Sequence, residues 1–449
     1  MKSLFSILSC LLVSVSSSFA QWDSVAGGIN GNINALCVYK GALYAGGTFT
    51  KAGTVSANNI ASWNGSKWAN AGLGVTWRGL VVVNALTSDT INNDLYVGGE
   101  YDSAGNISAY DIASWNGLTW QGLSYGVSGY AAGYGVHTIA VYHDSTYVGG
   151  SLVLVDGSSK DSINGIACWN NTSWGNVQHG VGGNVYAMCT YNGNLYAGGN
   201  FYSAAKKPAN QIAEWNDLTW STPGTGIKGY TVYALTVYTG NLIAAGSFDT
   251  AGSSPVGGIA EWNGTTWAPF GKGIPSSGVI YALTTYNGKL VAAGSFDSID
   301  GIPANNIAVW DGAVWSALGS GTNGTINAVA IYNGNLYAGG VFDSAGGKPA
   351  INIAVWSGPL EVAEIPGNSG SVKVYPNPSN GQFTFELSGL NGKSSVEIYD
   401  MLGQRIYSHH SIPNTQYQLN LSTQATGMYF YRVTTEEGKP MLKPAQLFK

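Results

Sequence analysis

Charge is scarce in this chain. Asp, Glu, Lys and Arg make up 10% of its 449 residues, and the net charge is −5. No basic stripe marks a nucleic-acid surface, which excludes nucleic acid as the expected partner. Cysteine is nearly absent: of four residues, only Cys37, Cys168 and Cys189 lie beyond the N-terminal apolar segment. An odd number allows at most one disulfide, so this is not a disulfide-stapled scaffold. Histidine is rare as well, with five in all. His137, His143 and His179 form no His-x-x-x-His pair and no zinc-type cluster with cysteine. There is no phosphate-binding glycine loop and no convincing carboxylate pair. These absences leave catalysis without a visible reagent, and no metal or cofactor is expected.

Long apolar runs are missing too. Leu4 to Val15 is the main one, and it is too short to span a bilayer. With Lys2 before it and Ser18-Phe19-Ala20 after it, it reads as a secretory signal cleaved between Ala20 and Gln21.

Glycine and aromatics are abundant: 64 Gly, 27 Tyr, 15 Trp and 12 Phe. They are organised as a repeat. The phrase Ile-Ala-x-Trp recurs with its tryptophan at Trp63, Trp115, Trp169, Trp215, Trp262, Trp310 and Trp356, spaced by 52, 54, 46, 47, 48 and 46 residues. Each repeat holds a segment like Ile33-Asn-Ala-Leu-Cys-Val-Tyr39 and one like Leu43-Tyr-Ala-Gly-Gly-Thr-Phe49. The Ile-Ala-x-Trp segment follows, and then one around a second tryptophan such as Trp68. Turn pairs such as Asn192-Gly193, Asn287-Gly288 and Asn333-Gly334 separate short β-branched and aromatic runs. Four antiparallel strands per repeat is the size of one propeller blade. The seventh repeat lacks its fourth segment, and an orphan fourth segment sits at Gln21-Trp22-Asp-Ser. The expectation is a seven-bladed β-propeller over 21–357, with the N-terminal strand completing the last blade and leaving no open sheet edge. The repeated tryptophans then fill the layers between blades. The cysteines are expected as small core residues.

The units Leu-Tyr-Ala-Gly-Gly-x-Phe, Asn-Ile-Ala-x-Trp-Asn-Gly and Val-Tyr-Ala-Leu-x-x-Tyr resemble the repeats of fungal cortical polarity-marker propellers and their bacterial relatives. More loosely they resemble kelch and galactose-oxidase-type blades. The resemblance implies a fold and leaves the function open, because propellers host both binders and enzymes.

Residues 358–371 read as a linker, and 372–449 as a small Ig-like β-sandwich with alternating strands. The tail resembles the type A C-terminal sorting domain of the type IX, or Por, secretion system. The carriers are Tyr375-Pro376-Asn377-Pro378 with Gly381, Val396 to Gly403, Gly427 to Val433, and Lys449. The resemblance implies a Bacteroidetes-type protein that passes through the periplasm and engages that secretion machinery. Its destination is then the outer cell surface or the medium.

Departures from the repeat are the best pointer to a ligand. Val75 to Gly79, Tyr125 to His137 and Leu152 to Ser162 are extra or altered loop sequence. Trp77, Arg78, Tyr130, Tyr134 and His137 are the candidate contact residues for a carbohydrate or peptide, against the alternative of loop drift in one sector. Acidic residues at Asp102, Asp249, Asp297 and Asp343 suit turn capping better than calcium. Each precedes Ser or Thr and an aliphatic residue, which resembles the O-glycosylation pattern of exported Bacteroidetes proteins, at Ser103, Thr250, Ser298 and Ser344. The overall expectation is a monomeric, non-catalytic binding or adhesion propeller for polysaccharide or protein. The alternative is an extracellular lyase, hydrolase or oxidase on the same scaffold.

Overall fold

A computed structural model describes residues 21–77, 79–128, 135–155, 158–357 and, in the tail, 371–375, 379–388, 394–399, 405–412, 416–424, 428–435 and 440–448. The described chain is all β and contains no helix, so no helix among these residues is long and apolar enough to cross a membrane. It divides into two compact units, Met1–Leu360 and Glu361–Lys449.

The first unit holds seven antiparallel sheets, one per repeat, each with a path of four strands; the fourth and fifth carry a short fifth strand beside that path. In the first sheet the strands are Asn32–Tyr39, Ala42–Thr48, Ile60–Trp63 and Trp68–Asn70, paired in that order. The first strands of the next six are Val82–Asp89, Val136–Tyr142, Val181–Tyr191, Ile227–Tyr238, Val279–Tyr286 and Thr325–Tyr332. The hairpin between first and second strands is tight where Asn192, Asn287 and Asn333 take φ of 48°, 50° and 49° before glycines at 80°, 75° and 75°. That pair of left-handed residues matches the twist of the strands it joins. The seventh sheet is composite: Gln21–Ser24 pairs with Ile353–Ser357, with Trp22 opposite Trp356.

In every sheet but the sixth, a tryptophan indole donates to the sheet before it. The indole Nε1 of Trp120 donates to the Ala71 carbonyl at 3.0 Å, Trp220 to Val177 at 2.9 Å and Trp267 to Pro223 at 2.9 Å. Trp22 continues the series by donating to Leu318 of the sixth sheet at 3.0 Å. The seventh sheet also packs on the first. Asn327 donates to the Ile33 carbonyl at 2.9 Å, Tyr332 to the Gly41 carbonyl at 3.0 Å, and Trp63 to the Tyr337 hydroxyl at 3.3 Å. Each inter-sheet layer buries its own apolar cluster, such as Leu43, Phe49, Trp63, Trp68 and Ile353 between the seventh and first sheets.

Two-residue hairpins that the four-segment reading did not anticipate lie between second and third strands. Ser103–Ala104 pairs with Ile107–Ser108, and Ser344–Ala345 with Lys348–Pro349. They are too short to show a period of two.

The second unit has a three-stranded sheet (Ser371–Tyr375, Gln382–Ser388, Gln416–Asn420) and a four-stranded one (Arg405–Ile412, Ser394–Tyr399, Met428–Thr435, Pro440–Phe448). They share one core that includes Phe383, Phe385, Val396, Ile398, Leu419, Tyr431 and Val433. Arg405–Ile412 and Pro440–Phe448 were not expected as strands. Both lie at sheet edges, where Pro440 and Pro444 are tolerated and polar residues such as His409 and His410 replace an alternating pattern.

Candidate functional site

Every first strand in the seven sheets carries a β-bulge at the same repeat position. The register slips past one residue each time: Asn34, Asn84, His137, Tyr186, Tyr233, Tyr281 and Asn327. The glycine pair on the facing strand helps to make this possible. A Cβ on Gly47 would sit 1.9 Å from the Asn32 carbonyl oxygen, and one on Gly46 would lie 2.4 Å from Val83 of the next sheet. The bulge turns one side chain per sheet away from the ladder. All seven are half-buried.

These side chains meet one another although they come from different repeats. The His137 ring lies 4.8 Å from Tyr186, Tyr186 lies 5.2 Å from Tyr233, and Tyr233 lies 5.1 Å from Tyr281. The planes are tilted by 30°, 53° and 62°, so the rings form an arc and not a flat stack. On the other side Asn34 Nδ2 donates to Asn84 Oδ1 at 3.1 Å, and Asn327 Nδ2 lies 3.4 Å from Asn34 Oδ1. Asn84 Nδ2 reaches the carbonyl of Val136, the residue before His137, at 3.4 Å. Aromatic character thus occupies the third to sixth sheets and amide character the seventh, first and second.

No member of this set is charged near neutral pH. Burial pushes the His137 imidazole down to about 4, and its Nε2 lies 3.2 Å from the Ser151 hydroxyl. Burial, and then the neighbouring Tyr233, raise the Tyr281 hydroxyl. Aromatic edges and faces beside amides and phenols, without charge, suit a neutral hydroxyl-rich ligand. Rings supply apolar contact and amides supply paired donors and acceptors.

Of the residues singled out by loop departures, His137 belongs to this arc and Trp77 does not. Trp77 is 38% exposed beside Gly79, in the loop that leads into the second sheet. Arg78, Tyr130 and Tyr134 lie outside the described residues, as do Ala20, Pro376, Asn377, Pro378, Gly403, Gly427 and Lys449. Gln21 opens the strand that completes the seventh sheet, and Gly381 takes φ of 99° just before Gln382–Ser388. The three tyrosines stand at one repeat position, inside the Val-Tyr-Ala unit, and repetition alone does not single them out. Their signal was the changing polar residue (Asn, Asn, His, Tyr, Tyr, Tyr, Asn) within an otherwise apolar segment.

The cysteines are free and half-buried, each packed against an apolar cluster as expected, and burial pushes the Cys189 thiol up to about 11. Among the described residues no cluster of three or more metal-ligating side chains exists. The recurring aspartates act differently from turn caps. Asp102, Asp249 and Asp297 accept the hydroxyl of the next residue, at 2.7, 2.8 and 2.8 Å. A separate cleft of about 620 Å³, lined in part by Ser277, Ser295, Asn305, Asn306 and Thr322, opens beside the sixth and seventh sheets. Asn305 and Asn306 are committed there to the Ser320 and Thr322 carbonyls at 3.0 and 2.9 Å.

Residues 373–443 match the secretion system C-terminal sorting domain. The protein is therefore secreted through the type IX system, to the cell surface or beyond it. No curated protein matches the chain. Among solved structures it is similar to the extracellular domain assigned to a hybrid two component system of B. thetaiotaomicron. The identity is 10% and the TM-score 0.47, over 95% of this chain and 57% of that one. It is similar to the computationally designed Ika8 protein at 15% identity and a TM-score of 0.43, over 75% of this chain and 99% of that one. It is also similar to PorZ, an essential surface component of the type IX secretion system of Porphyromonas gingivalis. There the identity is 15% and the TM-score 0.31, over 93% of this chain and 51% of that one. The chain thus spans little more than half the length of the first and last of these.

Proposed function

We propose that the exported unit is a seven-bladed β-propeller that binds a neutral polysaccharide without cleaving it, at the arc of bulged residues. The propeller reading is supported by seven equivalent sheets that pack in chain order, with the seventh against the first. In this reading the repeats belong with kelch and cortical polarity-marker blades, and residues 1–20 are a signal removed before Gln21. The tail is an Ig-like sandwich that delivers the protein and takes no part in ligand contact. Trp77, on the loop that leads into the second sheet, is kept as a candidate contact residue together with Arg78, Tyr130 and Tyr134, which lie outside the described residues.

The observation that carries the reading is the uncharged row His137, Tyr186, Tyr233 and Tyr281, continued by amides. Half-buried aromatic side chains meeting across four sheets are more than inter-sheet filling, which the tryptophans already provide. The test is a titration of the full secreted protein against neutral plant, algal and bacterial polysaccharides. Retained protein and newly formed sugar ends are measured together. Retention without new ends is expected, and Tyr233→Ala should weaken it about tenfold, or about 1.4 kcal/mol. Release of sugar ends would overturn the non-catalytic reading. Retention unchanged in Tyr233→Ala would move the site away from the arc.

A further inference from the structure

We infer that the outer face of the fourth sheet and the start of the fifth form a second recognition surface, built for an acidic polysaccharide. The inference stands independently of the neutral site. Its basis is a local reversal of charge in a chain whose net charge is −5.

Four repeats place aspartate just after the second strand, at Asp102, Asp249, Asp297 and Asp343, and the fourth repeat has Tyr202 there. Tyr202 is 64% exposed. The small hairpin that follows presents Lys206 and Lys207, both exposed. In the first, second, fifth and seventh repeats a glycine occupies the first left-handed turn position of this hairpin: Gly53, Gly105, Gly252 and Gly346. In the fourth, Ala205 and Lys206 take φ of 48° and 65° instead. A lysine is held in a conformation that side-chain-bearing residues avoid.

The neighbouring strand adds to the same surface. The Ile227 amide donates to the Asn210 carbonyl at 2.9 Å, and the Ala209 amide donates to the Tyr202 carbonyl at 2.9 Å. Residues 227–229, 209–211 and 201–203 therefore lie side by side at strand spacing, which puts exposed Lys228 two strands from Tyr202. Exposed Tyr230 follows two residues later.

The comparison with the seventh sheet shows that these lysines are left uncompensated. Lys348 stands at the repeat position of Lys207 and is neutralised by Asp23 at 3.1 Å. Asp23 follows Trp22, and its counterpart after Trp220 is Ser221. Lys206, Lys207 and Lys228 make no ion pair among the described residues. The nearest carboxylate by register, Asp249, accepts the Thr250 hydroxyl instead, although Thr250 pairs with Lys228. Three free ammonium groups interleaved with two exposed tyrosines fit a chain that alternates carboxylate or sulfate groups with apolar ring faces. At the cell surface that chemistry belongs to acidic glycans.

The test uses the full secreted protein with polygalacturonate, dextran and duplex DNA as probes in affinity electrophoresis. Polygalacturonate should retard the protein at 50 mM salt, with affinity falling about tenfold or more by 200 mM if about three charges are released. Lys206→Glu/Lys207→Glu/Lys228→Glu should abolish the retardation. The gentler Lys206→Gln/Lys207→Gln/Lys228→Gln variant should remove most of it with an unchanged circular dichroism spectrum. Tyr233→Ala should leave it intact, which separates this surface from the neutral site. No retardation at 50 mM salt, or a Gln variant that binds like the parent, would overturn the inference. DNA bound as tightly as polygalacturonate would overturn the choice of polysaccharide.

Discussion

Asp111 shows how one atom changes the physics of a repeat. In the first, sixth and seventh repeats an asparagine stands at this place. Asn352 is typical: its Oδ1 accepts the Phe342 amide at 3.2 Å and its Nδ2 donates to the Ile29 carbonyl at 2.9 Å. Asp111 accepts the Tyr101 amide at 3.1 Å but carries a second oxygen where the amide donor should be. Burial raises its carboxyl to about 8, so it stays protonated at neutral pH and keeps a donor. The folded state thus holds a proton that the unfolded chain releases near 4. This stability is fully present below about pH 4 and is lost as pH rises towards 8. Asp111→Asn supplies the donor permanently. It should match the parent at pH 4, exceed it by a few kcal/mol at pH 8, and flatten the pH dependence of urea midpoints. The Asn-Ile-Ala-x-Trp pattern was plain in the sequence, but the meaning of its one aspartate needed the depth of burial.

Among elements, Gln21–Ser24 has the largest structural consequence for its length. It contributes four residues to a sheet otherwise built from residues beyond 324. Trp22 is 1% exposed, lies 5.5 Å from Trp356 and donates to the Leu318 carbonyl. Trp22→Ala should cost about 3–5 kcal/mol, seen as a lower denaturant midpoint, because a large cavity opens in the layer between the sixth and seventh sheets. A midpoint within experimental error of the parent would mean that the seventh sheet is stable with three strands. The missing fourth segment and its orphan partner made this pairing legible from sequence, because counting strands requires no coordinates. The tail's outer strands were not legible, since their prolines and histidines obey the rules of an edge and not those of a core.

For the whole molecule, the sorting tail and the repeat unit have separate cores, and in the proposed reading export and ligand recognition fall to different units. In the first unit His137 is the one basic group among the seven bulged positions, and burial keeps it neutral down to about pH 4. Binding of a neutral glycan should therefore be constant from pH 5 to 8, measured by isothermal titration. A tenfold change within that range would place an ionising group in the contact. Stability is a different matter. The unfolded chain protonates His137 near 6.5 and the folded state does not, so this residue weakens folding as pH falls from about 6.5 to about 4.

By itself, the sequence determined the number of repeats, the four strands in each, the N-terminal strand that completes the last and the identity of the sorting tail. These follow from periodicity and turn chemistry, which are local. The tertiary structure alone decided which side chains meet. Asn34 and Asn84 are 50 residues apart, and His137 and Tyr186 are 49, yet each pair is in contact. A repeat period shows that two positions are equivalent, while a bulge decides whether they turn towards each other. The bulge depends on a strand partner and a neighbouring sheet that are present only after folding. The same holds for Lys207, which gains its meaning from the absence of a carboxylate where Asp23 stands beside Lys348.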